Sequence, residues 1–293
     1  MGVVNELRQR TWSGMLNVEV VLNPKLVVQG MPDEQVRCHL RIPRESYLVL
    51  HLPFVLNKLR GVLRQEVKDA FHGWWFGMED VLVHWNHPVG TLYDSLVGLR
   101  PQERAAQFQA NTLTMWTLTL NYSEDARDGS VPLVGGMQQV EDFWRHQWKQ
   151  ACYIIHGSSK QIMSLSIPDS KTFWDCVLQR DERVFRGIAS RITARKGGVK
   201  ALPVRIHQTT LRELRTLQPT VKPGEWGGGT LGELLRAELP ECFKNGSVLR
   251  PVVHGIEVSP ESQLADLYHL FCSFDGFLHI SICSPVALII PTT

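Results

Sequence analysis

The order strand, strand, helix, strand, short helix, strand reads twice along this 293-residue chain, once on each side of a helix-rich stretch, and predicts an α+β fold. Three observations carry that prediction. Val- and Leu-rich runs bounded by turn residues recur towards both ends, and aromatic residues at helical spacing fill the middle. A local echo, Leu92-Tyr93-Asp94-Ser95-Leu96 against Leu264-Ala265-Asp266-Leu267-Tyr268, precedes the closing strand of each half. A mixed sheet wrapped round one helix lets each bury the other's apolar face, so both halves are expected to be β-grasp, ubiquitin-like units.

In the first half, MLNVEVVL (Met15 to Leu22) and VRCHLRI (Val36 to Ile42) read as a strand pair across a Gly-Met-Pro-Asp turn. Leu56, Leu59, Leu63 and Val67 fall three and four apart behind Pro53, which predicts an amphipathic helix over 53–67. WWFGM (Trp74 to Met78) and VLVHW (Val81 to Trp85) follow, then a helical turn in VGTLYDSL and a strand in LTMWTLTL (Leu113 to Leu120). In the last third, LPVRIHQ (Leu202 to Gln208) and LRTLQPTV (Leu214 to Val221) read as a hairpin pair. Thr230 caps a helix TLGELLRAEL, with Glu233 completing a capping box. VLRPVVHG from Ser247, QLADLYHLF (Gln263 to Phe271) and FLHISI (Phe277 to Ile282) close the unit as strand, helix and strand.

Between the two, VEDFWRHQWKQACYII (Val140 to Ile155) and the stretch from Pro168 to Thr193 have helical periodicity. KGG at Lys196 to Gly198 is a linker, and GEWGGG near Gly227 a flexible loop. The expected boundaries are an N-terminal helix at 1–10, a first ubiquitin-like domain at 11–122, a helix-rich domain at 123–198 and a second ubiquitin-like domain at 199–293.

Hydrophobic residues make up 43% and charged residues 20%, the composition of a chain with a true core. The net charge of +2, from 31 basic and 29 acidic residues, supplies no field that requires a nucleic-acid partner. Six scattered cysteines without a C-x-x-C pair read as reduced, mostly buried thiols. No apolar run approaches a membrane span, the start has no signal-peptide core, and Glu6 stands where a myristoylation signal wants Ser or Thr. A cytoplasmic chain with at most peripheral membrane contact is the expectation.

Catalytic constellations are missing. His84 and His87 lack the helical spacing and acidic partner of a zinc protease site, so no metal and no cofactor is expected. His156-Gly157-Ser158-Ser159 lacks the G-x-S-x-G elbow and reads as a helix-ending glycine with capping serines. Gly227 to Gly229 have no P-loop lysine. Trp74, Trp75, Trp144, Trp148 and Trp174 suit core or interdomain packing better than ligand platforms.

One helix does present a usable nucleophile. Counting about 100° per residue from Val140, the apolar residues centre at about 10–20° and Lys149 falls near 180°, flanked by Asp142, Arg145, His146 and Tyr153. An exposed amine suits attack on a thioester carried by another protein. Most surface lysines would answer the same description.

The strings FWRHQWKQACYIIHGSSKQIMSLS (Phe143 to Ser166), RIPRESYLVLHLPF (Arg41 to Phe54), HWNHPVGTLYD (His84 to Asp94) and FDGFLHISI (Phe274 to Ile282) resemble, in order, the autophagy protein 5 family. That resemblance implies two ubiquitin-like domains flanking a helix-rich one. It also implies that the lysine of HQWKQ, Lys149, accepts the C-terminal glycine of the ubiquitin-like modifier autophagy protein 12 through activating and conjugating enzymes. The conjugate would bind the N-terminal helix of autophagy protein 16. It would then promote, like a ligase, attachment of an Atg8-family protein to phosphatidylethanolamine on preautophagosomal membranes. By matching, a groove between the ubiquitin-like domains takes the partner helix at Gly90, Asp94, His254, Gly255 and Ile256. Gly90 would allow close backbone approach and Asp94 would pair with a basic residue, against the plain alternatives of a turn glycine and a helix cap. Asn86 and His146 match a patch beside the attached modifier. Residues 122–136 and 221–229 carry no match. Two other readings are a binding module that is never conjugated and a hydrolase or transferase using a histidine with Ser158 or a free cysteine; the absence of a spaced acid, base and nucleophile disfavours the latter.

Overall fold

The computed structural model describes residues 2–64, 66–79, 81–97, 114–124, 131–193, 199–209, 214–222, 229–243 and 250–283. The KGG linker, residues 223–228 of the Gly-rich loop, Leu113 and Ser247 at the expected strand starts, and residues 125–130 of the unmatched segment lie outside them. Two compact units are present. One comprises Met1–Ser13, Asp94–Leu96 and Phe143–Thr293, the other Gly14–Tyr93 and Val97–Asp142.

The second of these holds a five-stranded sheet of β1 (Met15–Leu22), β2 (Arg37–Pro43), β3 (Trp74–Met78), β4 (Val81–Val83) and β5 (Trp116–Tyr122), ordered β2-β1-β5-β3-β4. β1 runs antiparallel to β2 and parallel to β5, the mixed arrangement expected of a β-grasp. Along β1 the side chains alternate, Leu16, Val18, Val20 and Leu22 turning inward, which is the period of a half-buried strand. Buried Leu52, Val55, Leu56 and Leu59 line helix α2 (Leu52–Leu59). Each fully buried side chain of this kind contributes about 1.5–3 kcal/mol.

α2 stops short of the expected 53–67. A single 3-10 turn over Arg60–Val62 follows, and Leu63 is already extended. The chain instead pairs with residues 26–28, Val28 N donating to Val62 O at 3.0 Å and Arg64 N to Leu26 O at 2.9 Å. Leu63 and Val62 are buried through that pairing, so their spacing mimicked a helical stripe.

The other unit contains α1 (Gly2–Trp12), the last turn of α3 (Val89–Leu96) and, from Phe143 on, α4 (Gly136–His156). It also holds α5 (Lys160–Met163), α6 (Ile167–Leu178), α7 (Glu182–Thr193) and a second sheet. That sheet has β6 (Val204–Thr209), β7 (Leu214–Leu217), β8 (Arg250–Val253), β9 (Ile256–Glu257) and β10 (Leu278–Cys283), with α8 (Leu231–Glu238) and α9 (Leu264–Phe271). Its order, β7-β6-β10-β8-β9, repeats the first sheet strand for strand. Val204, Ile206, Leu278, Ile280 and Ile282 share a core with Leu231, Leu234 and Leu235 of α8. The capping box is in place: Glu233 N donates to Thr230 Oγ1 at 3.3 Å and Thr230 N to Glu233 Oε2 at 3.0 Å.

The stretch from Pro168 to Thr193 is two helices. Arg180 takes a left-handed backbone (φ 64°), and Asp181 Oδ1 caps the next helix by accepting from Val184 N at 3.0 Å. The Arg180 guanidinium lies over the Trp12 ring, 5.0 Å from its centroid, so α1 docks where the helix breaks. Gly157 (φ 71°) ends α4 and the Ser158 hydroxyl accepts from Lys160 N, as the sequence suggested.

Candidate functional site

Lys149 stands on α4, and the first thing that fixes α4 is a pair of indoles. Nε1 of Trp144 and of Trp148 both donate to the carbonyl oxygen of Phe274, at 2.7 and 2.8 Å, which uses both lone pairs of one acceptor. Phe173 packs 4.8 Å from Trp144 and 5.0 Å from Trp148, Trp174 packs 5.1 Å from Trp144, and Phe185 joins Phe173 to Trp12. These tryptophans are core, as expected. Gly276 (φ +88°) lets the loop approach: a Cβ there would lie 3.0 Å from the Ala151 Cβ.

Trp144, Gln147, Trp148, Ala151, Cys152 and Ile155 are buried. Trp148 and Cys152 fall at about 80° and 120° on the scale used above, so the buried arc reaches further towards Lys149 than its apolar pattern implied. Lys149 is consequently half-buried rather than fully exposed, between exposed His146 and Tyr153, which is 62% exposed. Among the described residues no hydrogen bond or ion pair engages its ammonium.

The flank of α4 bearing Gln147 and Gln150 meets Arg205 of β6. Arg205 Nη2 donates to Gln147 Oε1 at 2.5 Å and to Gln150 Oε1 at 3.1 Å, and Nε donates to Gln218 Oε1 at 3.3 Å. The guanidinium lies 3.7 Å from the Phe277 ring centroid, and its Nη1 is 3.7 Å from Asp275 Oδ2. Asp275 is wholly buried, and both its oxygens are 3.0 Å from His279 Nε2. A carboxylate only accepts, so His279 Nε2 carries the proton. His279 Nδ1 and His207 Nε2 share a hydrogen bond at 2.8 Å, and His207 Nδ1 and the Thr216 hydroxyl share another at 3.1 Å. Burial alone pushes the Asp275 carboxyl up. The adjacent His279, then Arg205 and the Phe277 N–H, outweigh it and hold the group below its usual range.

Sequence reasoning missed this network. LPVRIHQ and FLHISI read only as strands, with no role for Arg205, His207 or His279, yet all three are buried, Arg205 against Gln147 and Gln150 of α4. A usable signal was the crowding of one Arg and two His onto strands that pair in register, His279 opposite Arg205.

At the other predicted surface, His254 and Gly255 form the two-residue turn between β8 and β9, with Val253 paired to Ile256. Both have positive φ, 50° and 79°, the signature of a type I′ hairpin. His254 tolerates it because Nε2 donates to Phe271 O at 2.9 Å. Gly255 N donates to Asp94 Oδ2 at 2.7 Å, and Ile256 is 40% exposed. Asp94 is only 5% exposed, so it is an internal latch on the turn and neither a helix cap nor an outward-facing charge.

Gly90 has a different neighbour. Its N–H donates to Arg44 O at 2.9 Å, Arg44 Nη2 donates back to Gly90 O at 3.2 Å, and a Cβ would meet the Arg44 Cβ at 2.9 Å. Glycine is needed there for packing inside the unit, in a first helical turn rather than a loop. Asn86 is half-buried, and its Oδ1 is enclosed without a hydrogen-bond partner among the described residues. His84 and His87 stack edge to face at 6.4 Å, and among the described residues no group of three or more His, Cys, Asp or Glu is placed to hold a metal. Among the described residues no cysteine forms a disulfide; Cys38, Cys152, Cys176 and Cys242 are buried and Cys272 is half-buried.

A duplicated β-grasp with a helical bundle between the two sheets in sequence defines a ubiquitin-like α+β protein. Residues 11–122 match the UblA domain of autophagy protein ATG5, 137–195 its alpha-helical bundle region and 201–282 its UblB domain. Autophagy protein 5 of Vanderwaltozyma polyspora is 40% identical over 288 residues, covering 96% of each chain. Autophagy-related protein 5 of Kluyveromyces marxianus is 37% identical over 94% of this chain and 99% of its own. The crystal structure of Kluyveromyces marxianus Atg5 superposes with a TM-score of 0.81 at 36% identity, covering 94% of this chain and 99% of that one. The chain belongs to the autophagy protein 5 family, and its role is in autophagy.

Proposed function

We propose that this chain is a non-catalytic scaffold in which Lys149 accepts autophagy protein 12 through an isopeptide bond. The observation that carries this reading is the setting of the lysine. Its helix is anchored by two indole hydrogen bonds, while no internal partner among the described residues holds its ammonium. In the transfer the deprotonated amine attacks the thioester carbonyl on the conjugating enzyme, an amide forms, the enzyme's thiolate leaves, and the amine's proton passes to solvent. This chain supplies the nucleophile and its position.

The conjugate then binds the N-terminal helix of autophagy protein 16 and promotes transfer of an Atg8-family protein to phosphatidylethanolamine, working from the cytoplasm on preautophagosomal membranes. No helix among the described residues is long and apolar enough to cross a membrane, which is compatible with that peripheral role. For the partner helix the reading uses Gly90, Asp94, His254, Gly255 and Ile256. Ile256 offers an exposed apolar contact and Asp94 acts by holding the turn. For the patch beside the modifier it uses Asn86 and His146, and the enclosed, unpartnered amide oxygen of Asn86 supports it: such a group costs about 1–3 kcal/mol unless something completes it. The working modules are residues 1–10, 11–122, 123–198 and 199–293. The test is reconstitution with modifier, activating enzyme and conjugating enzyme. A higher-mass conjugate forms with the wild-type chain and is lost with Lys149→Arg; a full-yield conjugate with that variant refutes the reading.

A further inference from the structure

We infer that Arg205 is a positioning residue for Lys149, setting the rotation of the acceptor helix about its own axis by gripping Gln147 and Gln150, which precede and follow the lysine in sequence. The inference rests on the proposal that Lys149 is the acceptor.

The geometry is that of a clamp. Gln147 and Gln150 are three residues apart, on one flank of α4, and one guanidinium nitrogen reaches both at 2.5 and 3.1 Å. Gln150 Nε2 also donates to Gln218 Oε1 at 3.4 Å, and Arg205 Nε donates to that same oxygen, which ties the grip to the β7 side of the sheet. The guanidinium cannot swing, because it is sandwiched on Phe277 at 3.7 Å and faces Asp275. Asp275 is held in turn by His279 and the Phe277 N–H. The indoles of Trp144 and Trp148 grip the helix from another direction through Phe274 O, one residue before Asp275. Two grips at different azimuths, both referred to the loop Phe274-Asp275-Gly276, leave α4 no freedom to roll.

Rolling matters for transfer. A side-chain tip about 6 Å from the helix axis moves about 2 Å for a rotation of about 20°. A displacement of about 1 Å from near-attack geometry can cost on the order of a hundredfold in rate. The amine's approach to a thioester on another protein therefore depends on a residue that touches neither reactant.

The experiment follows single-turnover transfer from pre-charged conjugating enzyme to increasing concentrations of full-length acceptor. Arg205→Lys keeps the charge facing Asp275 but cannot present a fork to three amides. Gln147→Met with Gln150→Met removes the grip from the helix side and tests the same point should the first variant fail to fold. Gln147→Glu keeps an acceptor for the fork and is the rescue control. The expected result is a fall of about fivefold or more in the saturating rate for the first two, with an unchanged half-saturation concentration and wild-type rate for Gln147→Glu. Wild-type saturating rates in both clamp variants, or a loss confined to half-saturation, overturn the inference. Conjugation of Lys149→Arg at full yield instead sinks the acceptor assignment, so the two failures are distinct.

Discussion

The Asp94 carboxylate accepts the backbone N–H of Gly255 at 2.7 Å, joining the last turn of α3 to a two-residue turn whose backbone is left-handed at both positions. A buried carboxylate bonded to a turn amide is charge-assisted, and its loss leaves the amide unsatisfied. Asp94→Ala is expected to lower stability by about 1.5–3 kcal/mol in urea denaturation and to weaken binding of the partner helix peptide. Asp94→Asn, which can still accept, is expected to recover most of both.

Gly90→Ala is expected to destabilise by about 1–3 kcal/mol, because the new methyl would sit 2.9 Å from the buried Arg44 Cβ. Thermal melting checks it. The strain lies within the packing of Arg44, so the loss should appear without any partner present.

Asp275 gives a pH dependence with a defined sign. Its folded pKa lies below the ordinary 3.8, so its contribution is fully present above that value and is lost as pH falls through the folded pKa. Asp275→Asn is expected to cost about 3–5 kcal/mol near neutral pH by leaving Arg205 and His279 uncompensated. The same variant should flatten the acid limb of the stability curve below about pH 4, measured by urea titration at stepped pH.

Thiol reactivity should follow burial. Burial, with Asp181 next, pushes the Cys176 thiol up to about 12, and burial also raises Cys38, Cys152 and Cys242. Alkylation of the native protein at pH 8, read by peptide mass spectrometry, is expected to label half-buried Cys272 ahead of those four. Labelling of Cys176 at a comparable rate would show that the α6 packing is looser than described.

Much of this fold was legible because local pattern and tertiary packing agree. β1 alternates as MLNVEVVL predicts, and Thr230 with Glu233 builds the capping box that TLGE spells. The failures share one cause, long-range burial that local periodicity does not encode. Val62 and Leu63 are buried by pairing with residues 26–28, not by a helix. Arg205, His207 and His279 are buried, and Arg205 bonds Gln147 and Gln150 of α4, a polar cluster that no local strand pattern announces. The lysine's phase on its helix could be read, but the helix's footing could not, because Arg205 lies 58 and 55 residues along the chain from the two glutamines it holds.

The most direct test of the acceptor assignment is mass spectrometry of the tryptic branched peptide after reconstituted conjugation. The account predicts the modifier's C-terminal tryptic fragment, joined through its terminal glycine, on Lys149 and on no other lysine of the chain, with the wild-type band absent for Lys149→Arg. A remnant on a different lysine, or an undiminished conjugate with Lys149→Arg, would contradict it.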